Sequence, residues 1–347
     1  MSNRPTGKPT IGEVAERAKV AASTVSRVVN RGSASAKVRD RVERAIRELG
    51  YTPYAPARNL RMGRTGILGV VSKTSHGAWF NQVLNGVEEA LIGKQTSVLL
   101  ASIALKGTYD LTPVEAWIRD RQVDALIFAH PGKPEMPLFE AGAGANLPMA
   151  FVAPDAGYPT GHSFNGENKR AGQTIAEYLC NLGHVRFAFA GGPELSQDTQ
   201  NRLAGLKQGL KERGLELPLD RISFAPNYQA EGGLTAAEVW LGLPRAEAPT
   251  AVVAGNDLMG MAFMRRVQQA GVRIPDDVSV VGFDGLPEAG LCWPGLTTMT
   301  QPASQMGIDA ASAVLKQLSD PKSDPHTSQE YPMQLLTRES AGPAPKG

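Results

Sequence analysis

Cysteine is almost missing from this chain: two residues, Cys180 and Cys292, among 347. They form neither a CxxC pair nor a metal-type cluster, so no disulfide framework is expected, and two buried thiols in a reducing compartment are. The five histidines (His76, His130, His162, His184 and His326) are scattered, with no metal-ligand spacing between any two. No stretch approaches the roughly 18 apolar residues of a membrane span. The opening MSNRPTGKPT has no apolar core of a secretion signal, so a cytoplasmic protein is expected. No G-x-x-x-x-G-K-[ST] phosphate loop or G-x-S-x-G elbow occurs, and Gly191-Gly192 is too short for a dinucleotide fingerprint. The chain therefore reads as non-enzymatic, with no catalytic residues, metal or cofactor.

What is present is an ordinary globular composition, 42% hydrophobic and 20% charged. The length suits two or three lobes rather than one small core. A net charge of +2 hides an asymmetry. Up to Arg64, fourteen Lys and Arg face five Asp and Glu; the remaining residues carry 22 basic against 29 acidic. A basic head on a mildly acidic body suggests a polyanion bound at one end.

The head reads as three helices. Thr10 and Glu13 make a capping box, followed by an apolar stripe of Ile11, Val14, Ala15 and Ala18. After the Lys19-Val20-Ala21 turn, a second helix over 22–30 buries Val25, Val28 and Val29. It presents Ser23, Thr24, Ser26 and Arg27 outward. Small hydroxyls around one long guanidinium suit a helix in the major groove, where hydroxyls meet phosphates and Arg reads base edges. Ser35 is placed to cap a third helix through Leu49, with Lys37, Arg39, Arg41, Arg44 and Arg47 on its exterior.

The run V-A-x-x-A-x-V-x-x-S-T-V-S-R-V-V-N closely resembles the helix-turn-helix of the LacI/GalR repressor family, and the resemblance continues over essentially the whole chain. It implies base readout by Ala22, Ser23 and Arg27, and backbone contacts by Thr24, Ser26 and Asn30. Ala22 can only touch a thymine methyl, so readout leans on Arg27. Ala21 replaces the Ser usual at that helix start. Residues 55–62 resemble the family's hinge helix, which orders on DNA; Ala57, Arg58 and Leu60 match its minor-groove positions, Leu60 as the wedge. Pro56 departs from the pattern and fits only the first helical turn.

From Gly66 onward, buried strand patterns alternate with amphipathic helices, as in two doubly wound parallel sheets. Ligand binding is then expected between two lobes, at the C-terminal ends of the strands. The body resembles periplasmic sugar-binding proteins. The chain divides into a head (1–50), a hinge (51–64), a first lobe (65–165 and 302–325) and a second lobe (166–301 and 326–347).

Within this frame Trp79, Phe80, Arg202, Tyr228, Asn256, Asp284 and Gln301 match the family's effector pocket. Aromatic faces cover C–H surface, while Arg, amide and carboxylate fix hydroxyls. Each residue also has a plainer reading: packing for Trp79 or Tyr228, a helix cap for Asn256, a turn former for Asp284, a helix surface for Arg202. Ala153 stands where the family usually has an Asp, and the segment before Arg202 lacks a second Arg found in some members. The expected protein is a ligand-responsive repressor that binds a palindromic operator as a homodimer or higher assembly, with a sugar or polyol effector. The alternatives are a sugar-binding, transport-associated protein, or a regulator corepressed by a purine or sugar phosphate. A stripe of Val83, Val87 and Leu91 is a candidate dimer seam, or plain core.

Overall fold

The computed structural model describes residues 9–29, 32–51, 64–73, 77–105, 108–155 and 161–345. Two compact units divide at Thr65/Gly66.

In the first unit, α1 (Ile11–Ala18) starts from the expected capping box. Thr10 N–H donates to Glu13 Oε2 at 2.7 Å, and Glu13 N–H donates to Thr10 Oγ1 at 3.3 Å. Lys19 turns the chain in the left-handed region (φ 54°) into α2 (Ala22–Val29). The third helix, α3 (Ala36–Leu49), ends on Gly50 at φ 62°, where a side chain would be strained. Ser35 is its N-cap residue, but its side chain makes no capping hydrogen bond, contrary to expectation. Val14, Val25, Val28, Val42 and Ala45 close the core, one stripe from each helix.

The second unit holds two six-stranded sheets, whose inner strands are apolar and buried on both faces. The first contains β1 (Ile67–Ser72), β2 (Ser97–Ser102), β5 (Ala125–Ala129), β6 (Met149–Val152), β7 (His162–Gly166) and β13 (Ser328–Tyr331). Their order is β13-β7-β6-β5-β1-β2, and all pairs are parallel. Alternation sorts its side chains: Ala125, Ile127 and Ala129 enter one core, Leu126 and Phe128 the other. A small hairpin, β3 (Ala104–Leu105) with β4 (Thr108–Tyr109), follows β2.

The second sheet contains β8 (Phe187–Gly191), β9 (Ile222–Phe224), β10 (Ala251–Ala254), β11 (Ser279–Asp284), β12 (Thr297–Thr300) and β14 (Gln334–Leu336). The order is β14-β12-β11-β10-β8-β9, parallel except for β14 against β12. Because β13 pairs with β7, the chain's last return to the second lobe falls between Tyr331 and Gln334, not at 325/326. The exposed polar sequence Ser328-Gln-Glu carries little strand signal; its ladder partner decides its place.

Val83, Val87 and Leu91 lie inside the first lobe, covered by helix Ala303–Ser319. They are core and not a dimer seam. Cys180 and Cys292 are both free thiols, partly rather than fully buried. Among the described residues no helix is long and apolar enough to cross a membrane.

Candidate functional site

In the head, α2 turns a largely polar side outward. On α2 every third or fourth position (Val25, Val28) is spent on the core, so Ala22, Ser23 and Arg27 are exposed while Thr24 and Ser26 are half-buried. The chain after α2 folds back on it: Gly32 N–H donates to Arg27 O at 2.8 Å, and Arg39 Nη2 to Gly32 O at 3.0 Å. An Arg17–Glu48 pair at 2.6 Å joins α1 to α3 at the surface. Lys37, Arg41, Arg44 and Arg47 are exposed on α3. Asn30, Ala57, Arg58 and Leu60 lie outside the described residues.

The body holds a second candidate site where its two lobes meet, built around Arg202. Its helix spans Gln197–Glu212. This brings Asp198 and Thr199 into the first turn. The guanidinium is only 3% exposed. Its Nε donates to Asn168 Oδ1 at 2.7 Å and its Nη1 to Gly255 O at 2.6 Å, with Asp198 Oδ2 at 3.8 Å from Nη2. Asn168 is oriented for this because its Nδ2 donates to Asp198 Oδ1 at 2.8 Å. The guanidinium carbon sits 4.5 Å from the Phe283 ring centroid and 5.9 Å from that of Tyr228. Helices Asn168–Asn181 and Gln197–Glu212 approach closely enough that a side chain at Gly205 would meet Lys169 O.

Tyr228 is fixed by its hydroxyl, 2.7 Å from Thr199 Oγ1 and 3.1 Å from Ser196 Oγ; burial pushes that hydroxyl's pKa up. Asn256 is consumed structurally. It N-caps helix Asp257–Gln269 by accepting from Met259 N–H at 2.9 Å, and its Nδ2 donates to Tyr228 O at 3.1 Å. Asp284 ends β11 at φ 109°, followed by Gly285 at φ 73°, so it is a turn former as well as a cleft carboxylate. Its Oδ1 accepts from Gln301 Nε2 at 2.7 Å. Burial lifts its pKa to about 6, opposed by Arg202 and by the Gln301 bond. Behind it, Asp257 is fully buried and pushed up to about 8 by burial and by the Asp284 charge. Asp257 holds the turn in place, accepting from Leu286 N–H at 2.7 Å and from the Thr298 hydroxyl.

Trp79 lies between the cores of the two lobes, with its Nε1 buried and without a hydrogen-bond partner. Phe80 is not brought to the cleft: it is buried in the first lobe's core. Neighbours on a helix cannot share a face, so paired aromatics there split between cleft and core.

Sequence reasoning passed over three cleft residues. His130, set aside as one of several scattered histidines, follows β5. Its ring lies 6.2 Å from that of Trp79 and 5.8 Å from that of Tyr228, and Nδ1 is 3.7 Å from Asp198 Oδ2. Burial lowers its pKa, with Asp198 opposing. Asp155, after β6, accepts from Gln197 N–H at 2.9 Å through Oδ1, so a first-lobe carboxylate caps a second-lobe helix. Asp198 completes the set. A position just past a strand end was the available signal for His130 and Asp155; Asp198 lies in the first turn of helix Gln197–Glu212 and had none. Three buried side-chain atoms among the described residues have no partner: Trp79 Nε1, Gln301 Oε1 and Glu135 Oε1.

Residues 10–54 match the model for bacterial regulatory proteins of the lacI family, and residues 176–341 match the periplasmic binding protein-like domain. The chain is 28% identical over 343 residues to the HTH-type transcriptional repressor PurR of Escherichia coli O139:H28, covering 97% of this chain and 98% of that protein. A solved complex of the transcriptional regulator CelR with cellobiose is 27% identical. It covers 96% of this chain and 100% of that one, with a TM-score of 0.72. The Lac repressor bound to ONPG in its repressed state is 25% identical, with 96% and 100% covered and a TM-score of 0.82.

Proposed function

Because the chain belongs to the LacI family of bacterial regulatory proteins, we propose that it is a cytoplasmic transcriptional repressor whose head binds operator DNA under control of a small molecule held in the body. What supports this reading is the pairing on one chain of an exposed Ser/Arg helix face with a cleft of buried, partly unpartnered polar groups. Two chains would place two α2 helices in successive major grooves of a roughly palindromic site, about 34–36 Å apart, with Leu60 of each hinge entering the minor groove between them. Ser23 and Arg27 would face base edges, with Ala22 limited to a thymine methyl; Thr24, Ser26 and Asn30 would face phosphates, and Ala57 and Arg58 would line the groove. The hinge 51–64 then separates the head from the two lobes.

The effector favoured by the cleft is a sugar or polyol. Aromatic Trp79 and Tyr228 with Arg202, Asp284 and Gln301 supply apolar faces beside donors and acceptors, the mixture hydroxyls need. The cellobiose held by CelR supports this class. The purine reading is supported by the similarity to PurR along nearly the whole chain.

Both halves can be tested on the full-length protein. A duplex selected from random sequence gives the operator. Arg27→Ala should then weaken specific binding by about 10-fold to 100-fold, the worth of one base-reading Arg, while non-specific binding falls much less. Equal losses on both duplexes would remove the base-reading role. Sugars and nucleobases that raise the melting temperature are then titrated with and without operator. Linkage requires a reciprocal change in affinity, typically about 5-fold to 150-fold. Sugar affinity indifferent to operator would instead indicate a sugar-binding protein that is not a DNA-coupled regulator.

A further inference from the structure

We propose that Lys73, Glu135 and Asp155, gathered around Gly132, form a hydroxyl-reading subsite in the first lobe's half of the cleft, which takes two adjacent hydroxyls of an uncharged saccharide or polyol. The proposal rests on the effector-cleft reading above and specifies what the cleft selects.

The three residues come from neighbouring strand ends. Lys73 follows β1, Glu135 lies beyond β5, and Asp155 follows β6; these strands are adjacent in the order β6-β5-β1. Their heads converge on one point. A side-chain carbon at Gly132 would lie 3.0 Å from Lys73 Nζ, 3.2 Å from Asp155 Oδ2 and 3.6 Å from Glu135 Oε2. Glycine keeps that space open. Yet among the described residues no ion pair within 4.0 Å joins Lys73 to either carboxylate.

Glu135 is the decisive member. It is 1% exposed; Oε2 accepts from Gly132 N–H at 2.8 Å, and Oε1 has no partner. The oxygen nearest the common point, Oε2, keeps a further lone pair beside its Gly132 bond, and a buried carboxyl whose other oxygen has no partner gains when a ligand donates to it. Asp155 has committed Oδ1 to Gln197 across the cleft, which leaves Oδ2 facing the common point. The subsite adjoins His130, two residues before Gly132 in the chain. His130, beside Trp79 and Tyr228, feels the charges of both Lys73 and Asp155.

Charge and hydrogen-bond polarity select the ligand group. A phosphate or carboxylate would meet two acids at the same point, and an ammonium would meet Lys73. A hydroxyl does neither: it accepts from the ammonium while donating to a carboxylate. Burial pushes the Glu135 pKa up, against the pull of Lys73, which moves the set toward neutrality and suits an uncharged partner.

The test uses calorimetric titration of the full-length protein with D-glucose, D-galactose, D-ribose, D-mannitol, cellobiose, hypoxanthine and D-glucose 6-phosphate. The expected result is binding of at least one uncharged saccharide or polyol, weakened about tenfold or more in both Lys73→Met and Glu135→Gln. A deoxy analogue missing one of the two hydroxyls should lose a similar factor against the unmodified protein and nothing further against Lys73→Met. That non-additivity separates direct contact from general disturbance of the fold. If an uncharged sugar binds equally well to the unmodified protein and both variants, the subsite is refuted while the sugar-responsive repressor stands. Binding of hypoxanthine or the phosphate ester alone, or of nothing in the panel, refutes both the subsite and the sugar class. Operator binding, measured separately, then decides the DNA-binding reading.

Discussion

Replacing Arg202 by alanine should destabilise the body far more than a surface arginine would, because the guanidinium organises the second lobe's side of the cleft. The side chain is 3% exposed, and its loss strips the donor from Asn168 Oδ1 and from Gly255 O. It also leaves Asp198 beside His130, whose pKa burial lowers. At 3.8 Å the Asp198 contact is long, so the two short hydrogen bonds carry most of the cost, about 1.5–3 kcal/mol each for a charged donor. Breaking a buried charged pair by removing one partner costs about 3–5 kcal/mol, and the two estimates agree. At about 2–4 °C per kcal/mol, the melting temperature should fall by about 10 °C. Calorimetric melting of Arg202→Ala, Asp198→Asn and the double variant at pH 7.5 measures this. The double should be less destabilised than the sum of the singles by about 1 kcal/mol or more. Arg202 also holds the Asp284 pKa down, so the penalty should shrink toward pH 5, where Asp284 takes up a proton. A loss below about 1 kcal/mol, or strict additivity with Asp198→Asn, would refute this account.

Asp257 and Asp284, lifted to about 8 and about 6 from 3.8, bind protons in the folded chain that the unfolded chain has released. Folding stability should therefore decline as pH rises through that interval, by a few kcal/mol in total. Asp257→Asn cannot ionise and should melt with a flatter profile between pH 5 and pH 8; an unchanged slope would show that Asp257 does not titrate there. Gly205→Ala would drive a Cβ into Lys169 O and should cost about 1–3 kcal/mol, displacing the helix that carries Arg202. Gly144→Ala, in a helix with nothing within 4 Å of the new carbon, should be neutral or slightly stabilising, by up to about 1 kcal/mol. If both melt alike, close helix contact is not what requires glycine at 205.

Much of the architecture was legible in the sequence because it is encoded locally. The Thr10–Glu13 box, the valine stripes of the head and the apolar strand runs each name their element from a few consecutive residues. The resemblance to the repressor family pointed to Arg202, Asp284 and Gln301, and the structure does link these three through charge and hydrogen bonds. Local pattern failed where two readings share one periodicity. Val83 and Val87 have the same spacing whether they face a partner chain or helix Ala303–Ser319, and only packing distinguishes the two.

By itself the sequence determined most of the elements, their alternation and the separation of a basic head from an acidic body, since propensity, capping and charge are properties of neighbouring residues. Tertiary structure alone decided which strand ends meet. It set Asp155 on a helix 42 residues away, turned Phe80 into the core while leaving Trp79 in the cleft, and closed Lys73, Glu135 and Asp155 around Gly132. Whether a polar group is partnered or orphaned depends on what the fold delivers from distant segments, and no local window of the chain contains that information.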